Sequence, residues 1–247
     1  INSRIKMASR ILRRSGLAAG VVAERCGWDA DWVIQVGVGM YHQETDVLKR
    51  EKWPDSKFIG YEPNPNIFKN IKQAYPGELF QIAIGKTQGA CTLYEKHRHK
   101  DGSSCKEFTV DDPNIKISNT YQVEMKTLDA IFCNGPHEIK GNVLLWLDCE
   151  GGELDAIEGA IKLIESVEMI NIEMTTKPPS DNWPDTRVVH KRLRELGFLR
   201  QDVHTLRGSQ YDAIYVRPHL FKKEYCICPF SIDEYEMLSE EEINHGK

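Results

Sequence analysis

Residues 143–153 read Val-Leu-Leu-Trp-Leu-Asp-Cys-Glu-Gly-Gly-Glu, an apolar run that delivers three carboxylates into a segment broken by two glycines. An apolar run bounded by turn residues suits a strand buried on both faces of a parallel sheet. Ligands of such sheets bind beyond the carboxyl ends of the strands. A carboxylate placed there can orient a charged or hydroxylated ligand, accept a proton, or ligate a metal. If the strand persists, Asp148 and Glu150 point to one side and Cys149 to the other. Gly151 and Gly152 permit a sharp exit that leaves Glu153 in the first turn of a helix, where the helix dipole favours a carboxylate by about 0.3–1 kcal/mol. Glu173 ends the next apolar strand at the same rim.

A second constellation lies upstream. Val33–Gly39 is an apolar strand running into a Gly37-x-Gly39 turn and then a helix. Glycines there allow a tight turn and close approach of a ligand to the main chain. Glu62 ends the next apolar strand about 25 residues on, where an acid accepts hydrogen bonds from both hydroxyls of an adenosine ribose. The third glycine of a dinucleotide fingerprint is replaced by His42. That glycine serves close packing around a pyrophosphate, so its loss favours an adenosine cofactor without phosphates, of which S-adenosylmethionine is one. His42 follows the turn and is a candidate base.

These segments must be carried by alternating strands and helices. The spacing predicts strands at Trp32–Val38, Lys57–Glu62, Leu79–Ile84, Val143–Cys149 and Val167–Met174, and helices at Gln43–Lys52, Asn66–Ala74, Leu154–Ile164 and Thr186–Leu196. Phe198–Val203 and Tyr211–Val216 read as a closing antiparallel pair joined through Gly208. Short strands at Thr92–Glu95 and Gln122–Lys126 flank a long polar loop, of a kind usually functional or mobile. The expected architecture is α/β, a doubly wound and mostly parallel seven-stranded sheet. Residues 1–30 form a helical extension, 31–217 the main domain and 218–247 a tail. In a doubly wound sheet the fourth parallel strand lies beside the first, which would bring Asp148 to the Gly37–Gly39 turn.

Composition narrows the function. A net charge of −5 over 247 residues implies no broad basic surface and argues against nucleic acid. Arg10, Arg13 and Arg14, and the basic run Lys96–Lys100, read as solvated surface. Of seven cysteines without a repeated spacing, Cys226 and Cys228 lie too close for a CxxC unit, and Cys26, Cys91, Cys105, Cys133 and Cys149 read as buried thiols of a reducing, cytoplasmic compartment. His97 and His99 lack a third ligand at suitable spacing, and no residue is assigned to a metal. Trp146 is expected in the core, with Trp183 as a candidate platform for a sugar. No apolar stretch reaches the length of a membrane span.

Taken together, Val33–Gly39, Tyr61-Glu62-Pro63-Asn64, Ala83-Ile84-Gly85, Lys126-Thr127-Leu128-Asp129, Leu147–Glu153 and Ile172-Glu173 resemble the FkbM family of S-adenosylmethionine-dependent methyltransferases. The resemblance runs from about Trp32 to Phe198, and the Asp-x-Glu-Gly-x-Glu block is its most specific part. It implies methyl transfer from S-adenosyl-L-methionine to hydroxyls of sugars and sugar-bearing metabolites. Gln35, Gly37, Gly39, Glu62, Pro63, Ala83, Ser104, Asp148 and Glu150 would hold the cofactor, and Asp148, Glu173 and His42 would serve the chemistry. The family's first strand usually carries an acid where this chain has Gln35, which can accept a hydrogen bond but lacks the charge. Two rivals remain open. One is an RNA ribose 2′-O-methyltransferase, for which Lys126 and Lys177 are the nearest lysines by order. The other is a non-catalytic binding module of the same fold.

Overall fold

The computed structural model describes residues 15–40, 42–97, 102–108, 116–133, 139–176, 182–207 and 210–225. The first part of the expected N-terminal extension, the middle of the polar loop, Lys177, Gly208 and the tail from residue 226 lie outside the described residues.

In chain order the strands are β1 (Trp32–Val36), β2 (Lys57–Tyr61), β3 (Glu78–Phe80), β4 (Ala83–Ile84), β5 (Gly89–Lys96), β6 (Ile117–Lys126), β7 (Val143–Leu147), β8 (Val167–Thr175), β9 (Leu199–Arg207) and β10 (Gln210–Val216). The helices are α1 (Ser15–Cys26), α2 (Gln43–Val47, continued by a π-helical turn Leu48–Lys52), α3 (Pro65–Ile71), α4 (Leu128–Phe132), α5 (Glu153–Glu158) and α6 (Thr186–Glu195). Seven strands form the main sheet in the order β3-β2-β1-β7-β8-β10-β9, and β4-β6-β5 form a second, smaller sheet. Within the main sheet β10 runs antiparallel to both neighbours, and the other neighbouring pairs are parallel. The predicted doubly wound, mostly parallel seven-stranded sheet is present. The order reverses between β1 and β7, and a crevice opens at such a switch point beyond the strand ends.

The middle of the sheet is buried on both faces. All five residues of β7 are buried. Val143, Leu145 and Leu147 pack toward α5 and α6, while Leu144 and Trp146 pack toward α1 with Val33 and Met169. Burying each such side chain stabilises the fold by about 1.5–3 kcal/mol, so β7 and the turn after it have little freedom. Helix α1 lays Ala18, Ala19, Val22 and Ala23 on the same face. Helix α3 begins with Pro65 at its first position and Asn64 as its cap, whose side chain accepts the N–H groups of Asn66 and Ile67.

Three expectations need correction. The run Leu79–Ile84 is not one strand. It leaves the main sheet after Phe80, and Ala83 and Ile84 pair instead with Met125 and Lys126 of β6. Gln81, exposed within an otherwise apolar run, marks the crossover. The helix predicted over Leu154–Ile164 stops at Glu158, followed by Gly159 and a 3-10 turn at Leu163–Ser166. Gly159 is packed too tightly for a side chain, because a Cβ there would lie 2.2 Å from the Gly85 carbonyl oxygen. The strands flanking the polar loop are longer than predicted, since β5 and β6 pair from Gly89 to Lys96.

Candidate active site

A cavity of about 510 Å³ opens beyond the carboxyl ends of β1, β2, β7 and β8, floored by the turn after β1. Gly37 and Gly39 have φ of 78° and 58°, the left-handed region that glycine adopts without steric cost. A Cβ on Gly37 would lie 1.7 Å from the Asp148 carbonyl oxygen. The turn is thus pressed against the end of β7, as the strand order predicted, and the Asp148 N–H donates to the Val36 carbonyl at 2.9 Å.

On the β2 side, Glu62 is buried. Its Oε2 accepts the Gly39 N–H at 2.8 Å and its Oε1 accepts the Asn64 N–H at 2.9 Å. Two backbone donors fix this carboxylate, and a carboxylate has lone pairs left for a ligand hydroxyl. Pro63 and Ala83 also line the cavity. Gln35 lines it too, but its Oε1 is taken by the hydroxyls of Thr45, at 2.8 Å, and Tyr75, at 3.4 Å. This uncharged amide is therefore anchored to α2 and to the segment after α3.

On the opposite side three half-buried carboxylates meet. Asp148, Glu150 and Glu173 each offer an oxygen, all within 4.8 Å of one another, a spacing at which they could share one metal cation. Sequence spacing did not single out this trio as a metal set. Burial, then Asp212, Glu150, Glu153 and Glu44, hold Asp148 well above the ordinary carboxylate range. Burial, then Asp148 and Glu150, push Glu173 up to about 11. Gln210 Nε2 donates to Glu173 Oε2 at 3.2 Å, and Asp212 faces Glu173 across the β8–β10 pair. Like charges this close do not all ionise together, so protons are shared across the cluster at neutral pH unless a cation is present.

The turn that carries the cluster departs from strand geometry. Glu150 has φ of 51°, uncommon for a residue with a side chain. It is held from two directions: Ser104 Oγ donates to its carbonyl at 2.6 Å, and Lys96 Nζ lies 3.3 Å from Oε2. Lys96, expected at the surface, is turned inward over the faces of Phe108 and Trp183, at 4.9 and 5.9 Å from the ring centroids. Gly151 makes room for Trp183, whose ring a Cβ would meet at 2.4 Å. Trp183 is buried and packs on Phe108. Glu153 is more than a helix-start carboxylate, since its Oε1 accepts the N–H groups of Cys149 and Gly151 at 3.0 and 3.2 Å and closes the acidic turn. Burial pushes Glu153 up to about 7 against those bonds. Burial also raises the Cys149 thiol, so it is not a ready nucleophile.

Of the residues singled out from sequence, the structure brings Gln35, Gly37, Gly39, Glu62, Pro63, Ala83, Asp148, Glu150 and Glu173 to one cavity. His42 is not among its lining residues; it sits at the start of α2, and Glu44 two residues on reaches the wall instead. Ser104 braces the acidic turn from behind while its neighbours Ser103 and Cys105 line the space. Sequence reasoning missed Lys96, Glu44 and Gln210. Only the basic run around Lys96 was visible beforehand, and nothing in it shows which lysine turns inward.

The family model for the methyltransferase FkbM domain matches residues 35–200. Among solved structures, methyltransferase FkbM from Methylobacillus flagellatus KT has 10% sequence identity and a TM-score of 0.46, covering 76% of this chain and 43% of that one. The human methyltransferase 10 domain containing protein has 12% identity and a TM-score of 0.42, covering 81% of this chain and 78% of that one. The plantazolicin methyltransferase BpumL, solved in complex with SAH, has 9% identity and a TM-score of 0.43, covering 85% and 84%. This chain thus spans 43% of the length of the Methylobacillus structure. No curated protein sequence matches it. The family match begins at Gln35 on β1 and takes in the glycine turn, Glu62, the acidic turn and Glu173. The chain belongs to the methyltransferase FkbM domain family.

Proposed function

We propose that this protein transfers a methyl group from S-adenosyl-L-methionine to a hydroxyl oxygen, on a sugar or a glycosylated metabolite. The observation that carries the reading is one cavity with Glu62 at one side and the Asp148–Glu150–Glu173 cluster at the other. When bound, the cofactor supplies an electrophilic methyl carbon on a cationic sulfur. Its groups suit the residues present: adenosine hydroxyls for Glu62, and the sulfonium and α-ammonium for a cluster that otherwise shares protons. Gly37 and Gly39 let the main chain approach the ligand closely.

The acceptor is constrained by the same charges. A cavity rimmed by carboxylates repels phosphate or carboxylate acceptors and suits neutral polyols, whose hydroxyls donate to acidic side chains. This favours a glycoside over an RNA ribose. Asp148 lies at the junction of the cluster and the glycine turn. A carboxylate with raised proton affinity there accepts the hydroxyl proton as the oxygen–carbon bond forms, and Glu173 on the neighbouring strand orients the acceptor. Among the described residues no helix is long and apolar enough to cross a membrane.

The reading is tested by calorimetry with S-adenosylmethionine, followed by incubation with methyl-labelled cofactor and a panel of neutral glycosides. The expected result is binding and label recovered as a methyl ether on the glycoside. No heat at millimolar cofactor would sink the proposal, and label recovered only on RNA would replace the acceptor class.

A further inference from the structure

Glu95, near the end of β5, is 0% exposed. Its Oε1 accepts Ser118 Oγ at 2.9 Å and Asn119 Nδ2 at 2.8 Å, both on β6. Its Oε2 accepts Asn64 Nδ2 at 2.9 Å, with Asn66 Nδ2 and Tyr121 Oη further off at 3.5 Å. Burial pushes this carboxyl up, but the bonds from Asn64, Asn119, Ser118 and Asn66 more than offset it and bring it to about 2. It stays ionised throughout the working range.

Asn64 joins this buried anion to the cavity. Its Oδ1 caps α3, and its Nδ2 divides between Glu95 and Ser103 Oγ, the latter at 3.0 Å. Its backbone N–H donates to Glu62 Oε1, and Glu62 Oε2 accepts the Gly39 N–H. An unbroken chain of bonds therefore runs from Glu95 through Asn64 and Glu62 to the glycine turn. An asparagine amide can be satisfied either way round unless its neighbours dictate which end is the donor. The N–H groups of Asn66 and Ile67 fix the Oδ1 end, and the Glu95 carboxylate, acceptor-only when ionised, fixes where the Nδ2 end points.

We propose that Glu95 is a positioning residue for the cofactor pocket, orienting Asn64 and thereby fixing the Glu62 carboxylate and, through Ser103, the segment that lines the cavity. The inference rests on the reading that Glu62 holds the cofactor's ribose. It also assigns a task to the second sheet: β5 and β6 carry the anion and three of its donors, so that sheet sets the geometry of a pocket at the end of β2.

The test is calorimetric titration with S-adenosylhomocysteine of the wild type, Glu95→Gln, Glu62→Gln and the double variant. Glutamine keeps the size of Glu95 but brings two donors to a site whose neighbours already donate. The expected result is a Kd for Glu95→Gln raised roughly tenfold at unchanged stoichiometry, and a double variant no weaker than Glu62→Gln alone, because coupled residues are not additive. Unchanged Kd with reduced stoichiometry would mean that Glu95 only supports folding, and additive losses would mean that it does not act through Glu62; either overturns the proposal. Should Glu95→Gln not fold, the Ser118→Ala/Asn119→Ala variant removes two surface donors from the same carboxylate. A severalfold weaker Kd is then expected, and an unchanged one overturns it. A wild type that binds no S-adenosylhomocysteine overturns the cofactor reading itself, and this inference with it.

Discussion

The two sides of the cavity treat their carboxylates in opposite ways. At the end of β2, Glu62 is buried and its oxygens accept backbone N–H groups, so its charge is balanced before any ligand arrives. At the ends of β7 and β8, Asp148, Glu150 and Glu173 stand within 4.8 Å of one another, and Asp148 and Glu173 are pushed well above the ordinary range. One side is preorganised to present acceptors, and the other stores repulsion that a cation relieves. Sites of this second kind lower the stability of the ligand-free fold. The contrast accounts for how a single pocket could grip a molecule that carries ribose hydroxyls at one end and a sulfonium and an ammonium toward the other.

The largest expected effect falls on the strained side. Asp148→Asn should fold normally and lose turnover by about 10²–10⁴, the range for removing a positioned general base. Because it removes one of the crowded acids, it should also raise the melting temperature of the ligand-free protein. Full activity in that variant would assign the carboxylate to structure, and a lowered melting temperature would contradict the repulsion.

Gly37→Ala probes the turn between the two sides. With φ at 78° and no room beside the Asp148 carbonyl, the turn must shift, and the main chain that the cofactor approaches shifts with it. The loss should be in cofactor affinity, read by calorimetry, with melting temperature lowered. An alanine variant that binds cofactor as tightly as the wild type would break the assignment of the turn.

A smaller effect is expected from pH. Glu153 and Glu173 are raised from 4.5 to about 7 and about 11, so the folded protein holds more protons than the unfolded chain between pH 4.5 and those values. Stability then falls as pH rises through this window. Thermal melts of the ligand-free protein should shift down by several degrees from about pH 5 to about pH 7, and bound cofactor should flatten the slope. A melting temperature that rises across the same window would show that the acid cluster is balanced in some other way.

What was legible in the sequence follows the reach of each interaction. The glycine turn, Glu62 and the apolar strand before Asp148 are written in local order: strand, turn, helix, strand, acid. The strand order then brought β7 beside β1, and with it Asp148 beside Gly37. Contacts made across the second sheet were not legible. Ser104 braces Glu150 across 46 residues and Lys96 pairs with it across 54; the sequence offered Ser104 as a cofactor ligand and Lys96 as surface, and no local pattern shows that both hold Glu150. The same holds for the split of Leu79–Ile84, where pairing with β6 overrides an apolar run that reads as one strand. His42 shows the opposite failure: its position in the glycine spacing pointed at the cavity, but the start of α2 presents Glu44 there instead.

The central claim is that the acid cluster exchanges shared protons for the positive end of the cofactor. Calorimetric titration with S-adenosylmethionine near neutral pH, repeated in buffers of different ionisation enthalpy, counts the protons that move on binding. The account predicts that binding releases protons to the buffer, and that Asp148→Asn releases fewer. Binding with no net release, or with proton uptake, would contradict it.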